Sequence, residues 1–222
     1  MDRFRRLVAI ALLAGTAAGL ILFVVRHAAI VPLIDAAEQF EQAAAGHVHA
    51  DTGWQPKPGF QRIGLTAVTT VLSSIGFASI LLAAMSFARA TIDARRGLLW
   101  GLAGFACFAL APALGLPPKP PGAAVGDLGL RQYWWLATVI ATAAGLWLAA
   151  GKGHAWWLRA AGIAVAIAPH FAGTPPAEGA DAVPASLLRD FARLSLIASL
   201  IFWLSLGTFC GGLWHRFRAG GA

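Results

Sequence analysis

The sequence predicts an all-α, polytopic integral membrane protein. Three observations predict it. Of 222 residues 58% are hydrophobic, only 12% are charged, and the charges fall between apolar runs long enough to cross a bilayer. An ordinary soluble domain carries roughly 25% charged residues. A soluble fold of this size could not hide so much apolar surface, and lipid removes that difficulty.

The first run, residues 7–25, has no charge and follows Arg3, Arg5 and Arg6. As a helix it spans about 28 Å, close to the ~30 Å hydrocarbon core. Eleven of its residues are Leu, Ile, Val or Phe, each favouring insertion. It is too long for the apolar core of a cleaved signal peptide, and no A-x-A site follows it. Residues 64–88, 97–116, 133–151 and 194–214 are four further charge-free runs. Residues 156–171 are shorter and carry Arg159 near their start, from which an arginine can snorkel to the headgroups. The expectation is one membrane domain over residues 1–222 with about six spans.

Charge bias supports the sixth span. With six, one side receives Arg3, Arg5, Arg6, Arg89, Arg95, Arg96, Lys152, Arg159, Arg216 and Arg218 against Asp2 and Asp93. The other side holds seven basic and eight acidic residues. The positive-inside rule then places both termini in the cytoplasm. With five spans, His215, Arg216 and Arg218 would lie outside, against the rule. The tryptophans agree: Trp134 and Trp135 mark the outer boundary, and Trp100, Trp156, Trp157 and Trp214 the inner one. The net charge of +7 is thus a topology signal rather than a nucleic-acid-binding face.

The outer segment from Arg26 to Arg62 is the longest loop. Residues 33–45 are helix formers and put Glu38 and Glu41 three apart on one face. Gly46, Gly53, Pro56, Pro58 and Gly59 predict irregular chain after them.

The third and fifth helices end alike. Ala109-Leu110-Ala111-Pro112 precedes Gly115-Leu116-Pro117-Pro118, and Ala166-Ile167-Ala168-Pro169 precedes Gly173-Thr174-Pro175-Pro176. Arg131 and Arg189 follow, and the offset is 57 or 58 residues throughout. Helices 3–4 and 5–6 therefore read as a tandem parallel repeat, an arrangement that places substrate paths at repeat interfaces. The second copy has His170 in place of Ala113 and Glu178 in place of Pro120. Pro112 and Pro169 each free a backbone carbonyl one turn back, and a permeating cation can use such carbonyls at membrane depth.

Candidate ligands gather on the outer side: His47, His49, His170, Glu38, Glu41 and Glu178. Imidazole with carboxylate suits a first-row transition metal. His47-x-His49 points both rings one way only in extended chain, and a polar ring at the membrane boundary, as at His170, is costly unless paired or wet. Cys107 and Cys210 lie inside apolar runs with no second Cys at metal spacing, and read as small buried hydrophobes. Gly15-x3-Gly19 and Gly207-x3-Gly211 read as helix-packing motifs. No Walker motif, dinucleotide fingerprint or nucleophile elbow is present, so the chain does not read as an enzyme. Every Asp and Glu falls in an expected loop, which leaves no carboxylate for an intramembrane proton relay.

Several strings are more specific. They are Val31-Pro32-Leu33-Ile34, Arg96-Gly97-Leu98-Leu99-Trp100-Gly101-Leu102-Ala103-Gly104-Phe105, and Ala111-Pro112-Ala113-Leu114-Gly115-Leu116-Pro117-Pro118. With them go Arg131-Gln132-Tyr133-Trp134-Trp135-Leu136-Ala137-Thr138, Ala168-Pro169-His170 and Val183-Pro184. Their order resembles the predicted cobalt transporter subunit family, CbtA type, over nearly the whole chain. The resemblance implies a bacterial inner-membrane protein serving cobalt supply for cobalamin synthesis. It also implies a small single-span, His-rich partner of CbtB type. The expectation is a membrane component for uptake of a transition metal, cobalt being the substrate and no cofactor tightly bound. The other reading is a non-transporting membrane scaffold for a metal-handling partner.

Overall fold

The computed structural model describes residues 2–45, 56–57, 59–88, 92–151 and 153–219. Among them there is no strand, and the chain is an all-helical, polytopic membrane protein. The helices are α1 (Asp2–Ala29), α2 (Val31–Ala45), α3 (Phe60–Phe87), α4 (Ala94–Phe105), α5 (Ala111–Gly115), α6 (Leu128–Ala150), α7 (Trp156–Phe171) and α8 (Ala185–Ala219). A π-helical stretch, Ala106–Leu110, joins α4 to α5 without a break.

Among the described residues, five segments are long and apolar enough to cross a membrane: α1, α3, α4 through α5, α6 and α8. Helix α7, at 16 residues, is shorter than these. The helices outrun the apolar runs expected from sequence. Helix α1 has 28 residues and α8 has 35, against the ~20 that a bilayer requires. Charge stops the apolar run but not the helix, because the backbone still satisfies itself best by helical bonding. One expectation is corrected by this. Asp190, with Arg189 and Arg193, lies within α8 and is exposed, so not every acidic residue is in a loop, while Asp35, Glu38 and Glu41 lie in α2, the helix expected of the outer segment.

Two units divide the chain. The first comprises Met1–Pro32, His47–Gly104 and Ile197–Ala222. In it the small-residue motifs do what their spacing predicts. A Cβ at Gly15 would lie 2.5 Å from the Ile75 backbone, and one at Gly19 3.0 Å from Val71, so α1 and α3 approach backbone to backbone. Helices α4 and α8 meet the same way, Gly97 and Gly101 lying against Gly207 and Gly211. One turn on, Gly104 leaves room for the indole of Trp203, which packs edge-on against Phe77 at 5.4 Å and Phe202 at 5.5 Å. Cys210 is fully buried and unpaired, as a small hydrophobe would be.

The second unit comprises Leu33–Gly46 and Phe105–Leu196. Its framework is an antiparallel hairpin of α6 and α7. Gly145 lies against Gly162, Trp147 packs edge-on to His154, and Trp134 packs edge-on to His170. The tight turn between the helices is closed by His154, whose Nδ1 lies 2.8 Å from the Leu148 carbonyl oxygen. Gly153 at φ +80 supplies the left-handed residue this turn needs. Asp127 starts α6 by accepting the Leu130 N–H at 2.7 Å.

Candidate functional site

The end of the second unit that carries segments 116–127 and 172–184 holds His170 and, in the second of those segments, Glu178. His170 stands in the last turn of α7, after Pro169. Its Nε2 lies 3.0 Å from the Ala111 carbonyl oxygen at the start of α5, and its ring meets Trp134 at 5.6 Å in an edge-to-face contact. A carbonyl only accepts, so the neutral ring in this geometry holds its proton on Nε2 and keeps a lone pair on Nδ1. Trp134 is itself wedged against Gly115, where any side chain would collide with the indole. The burial cost foreseen for a polar ring here is met by this one backbone bond.

Above His170 the two segments are stitched together. Ala124 N–H donates to Asp181 Oδ1 at 2.8 Å, and Ala182 N–H donates to the Gly122 carbonyl at 2.9 Å. Lys119 Nζ donates to the Ala124 carbonyl at 2.6 Å and lies 3.7 Å from Asp181 Oδ1. Gly126 is pressed against the Pro176 carbonyl and Gly115 against Thr174. Ala124 and Asp181 are 57 residues apart, one of the offsets at which the expected repeat aligns its two halves. Gly122 and Gly179, also 57 apart, both take positive φ, +72 and +84. These bonds were not legible in the sequence, because nothing local in either segment encodes a partner 57 residues away.

The acidic candidates lie nearby but apart. Helix α2 packs on segment 116–127, with a Cβ at Gly122 reaching within 3.0 Å of Glu41 Cβ. Glu41 is exposed, Glu38 is half-buried one turn earlier, and Glu178 is exposed in segment 172–184. His47 and His49 lie outside the described residues. Among the described residues no group of three His, Cys, Asp or Glu side chains is arranged to hold a metal ion.

The π-helical stretch also belongs to this site, since it leads into Ala111. A π turn is one residue inserted into an α-helix. Seven residues separate Gly104 from Pro112 in the first copy, and six separate Gly162 from Pro169 in the second. The inserted residue matches the fall in spacing from 58, between Gly104 and Gly162, to 57, between Pro112 and Pro169. The Ala111 N–H reaches back to the Ala106 carbonyl, and Pro112 has no N–H to offer. The Cys107 carbonyl is therefore left without its regular helical donor. Unequal spacing of Gly and Pro was the only trace of this in the sequence.

The family described as "Probable cobalt transporter subunit (CbtA)" matches residues 4–215. No curated protein and no solved structure matches the chain.

Proposed function

The chain belongs to the family of probable cobalt transporter subunits, CbtA, and from that membership we propose that it is the membrane component of a cobalt uptake system serving cobalamin synthesis. It would sit in a bacterial inner membrane, crossing it six times with both termini in the cytoplasm. The antiparallel pairing of α6 with α7 supports a sixth crossing, since α7 returns from the level of Trp147 to that of Trp134 despite its 16 residues. In this topology the stitched segments and His170 face outward.

The observation that carries the location of the path is the His170–Ala111 contact. A metal-ligating histidine typically donates its other ring N–H to a backbone carbonyl or carboxylate, which fixes the tautomer and raises the ligand's basicity. His170 has that arrangement, with Nδ1 available to the ion. Glu38 and Glu41 on α2, Glu178, and His47 and His49 would concentrate the cation ahead of it. The carbonyls freed near Pro112 and Pro169 would follow. Nitrogen and oxygen donors of this kind bind Ni²⁺ and Cu²⁺ more tightly than Co²⁺, so selectivity is assigned to geometry or to a small, His-rich, single-span partner of CbtB type.

Uptake of radioactive cobalt by cells with and without this chain tests the reading. Expression should raise accumulation, and replacing His47, His49 and His170 together by Ala should return it to the background. Uptake by the triple variant equal to the unsubstituted protein would remove the proposed ligands. Repeating the assay in liposomes separates a permease, which moves metal alone, from a scaffold that needs its partner.

A further inference from the structure

We propose that Trp134 acts with His170 on the ion: its indole N–H donates to a water that the divalent cation keeps, so the site holds the ion partly hydrated. The inference rests on His170 being the ligand proposed above, and adds the form in which the substrate is held. Printed contacts within the second unit set the place. The His170 imidazole is held by the Ala111 carbonyl at 3.0 Å and meets the Trp134 indole at 5.6 Å between ring centres, nearly perpendicular. The Cζ2–Cη2 edge of that indole lies on Gly115, and the Thr174 methyl lies on the same glycine. Nε1 is two bonds from Cζ2, so the N–H belongs to the side of the ring that meets Gly115.

That N–H asks for an acceptor. Trp134 is 9% exposed, and its Nε1 is buried with no hydrogen-bond partner. A buried donor left unpaired is costly. An indole N–H only donates, so what answers it must accept. A bare cation cannot accept. A metal-bound water can, since it uses one oxygen lone pair on the ion and keeps the other. From an imidazole nitrogen through an ion and its water to an indole nitrogen the reach is up to about 7 Å. That reach bridges two rings whose centres are 5.6 Å apart. His170 is only half-buried, which leaves room for an ion that brings part of its shell.

The helix ends suit the same ligand. The helix that runs through α5 stops at Gly115, and α7 stops at Phe171. Leu116 N–H returns to the Pro112 carbonyl and Ala172 N–H to the Ala168 carbonyl. The carbonyls after these two have no donor within their helices. Two negative dipole ends therefore lie at the junction where Gly115 touches Thr174 and His170 touches Ala111. They favour a cation, and the protons of its retained waters suit such carbonyls. The imidazole then makes the direct bond to the metal, and the indole fixes one water of the shell.

The test uses the purified full-length chain in detergent, with its indoles labelled with ¹⁵N for NMR. Zinc sulfate in a buffer free of carboxylates is the probe, because Zn²⁺ is diamagnetic and leaves hydrogen-bond shifts readable. The Trp134 signal is the one that Trp134→Phe removes. It also moves in metal-free His170→Ala, which strips the imidazole from the indole, so the signal is identified even if Trp134→Phe folds poorly. Zinc should move this signal downfield and saturably, and should not do so in His170→Ala. Trp134→Phe keeps a ring against His170, loses the N–H, and should weaken radioactive cobalt binding by about tenfold, as loss of an outer-shell partner does. A signal that zinc leaves in place, or unchanged cobalt binding by Trp134→Phe, would overturn the role of Trp134 while His170→Ala still loses the metal. Cobalt binding unchanged in His170→Ala would overturn the underlying reading as well. A shift that appears only when acetate is added would overturn the retained water in favour of a carboxylate.

Discussion

The seam between α4 and α8 and the seam between α6 and α7 are built at positions 58 residues apart but filled differently. Gly104 and Trp203 meet in the first, Gly162 and Gly145 in the second, and each partner of one is 58 residues from its counterpart in the other. In the first seam a glycine makes room for an indole that also anchors Phe77 and Phe202. In the second, two backbones touch with Ala149 and Ala166 beside them. The two seams thus share the positions at which helices cross and differ in what fills the crossing. The first seam spends its space on an aromatic anchor. The second holds α7 close to α6, and that closeness brings His170 onto Trp134 and within reach of Ala111.

This contrast can be broken most forcefully at the anchor. Trp203→Ala empties a site only 3% exposed and should cost about 3–5 kcal/mol in a detergent unfolding titration. Gly145 has no side chain to remove, so the second seam has no equivalent truncation. A finer comparison adds one methyl to each seam. At Gly162 the new Cβ would meet the Gly145 carbonyl and the Ala149 nitrogen, 2.6 and 2.9 Å away, and backbone cannot step aside. At Gly104 its three nearest neighbours are all atoms of the Trp203 indole rather than backbone. Gly162→Ala should cost about 2–3 kcal/mol and Gly104→Ala about 1 kcal/mol, within the range for overpacking. The reverse order in the same titration would show that the indole, not the backbone contact, is the rigid partner.

Smaller effects test the stitched segments. Asp181→Asn removes a charged acceptor from the Ala124 N–H and weakens the Lys119 contact. Both groups are partly exposed, so solvent screening limits the expected loss to about 1 kcal/mol. The smallest effect is the cap of α4. Because Asp93 titrates below its usual value when folded, it stabilises the fold above the ordinary carboxylate range and loses that contribution as pH falls through its lowered value. The difference in unfolding midpoint between the unsubstituted chain and Asp93→Asn should be present at neutral pH and vanish in acid.

What the sequence showed and hid follows from what lipid constrains. Apolar runs of about 20 residues are demanded by the bilayer, so α1, α3, α6 and the core of α8 were plain to read. Helix ends were not, because Arg189 and Asp190 in α8 continue the hydrogen-bond ladder after the hydrocarbon ends. Residues 33–45 were legible as a helix from propensity alone, and α2 adds only two residues to them. His170 stood out because the expected repeat sets it against Ala113. The π turn and the Lys119–Asp181–Ala124 bonds did not stand out. The first is a single inserted residue without a composition of its own, and the second joins residues whose pairing only the folded chain defines.

Saturable binding of radioactive cobalt to the purified chain tests the placement of the path most directly. Replacing His170 by Ala should weaken that binding about tenfold or more, as loss of a metal ligand does, while the unfolding midpoint moves little. Binding unchanged in a folded His170→Ala protein would contradict the assignment and move the ion's route away from Ala111 and Trp134.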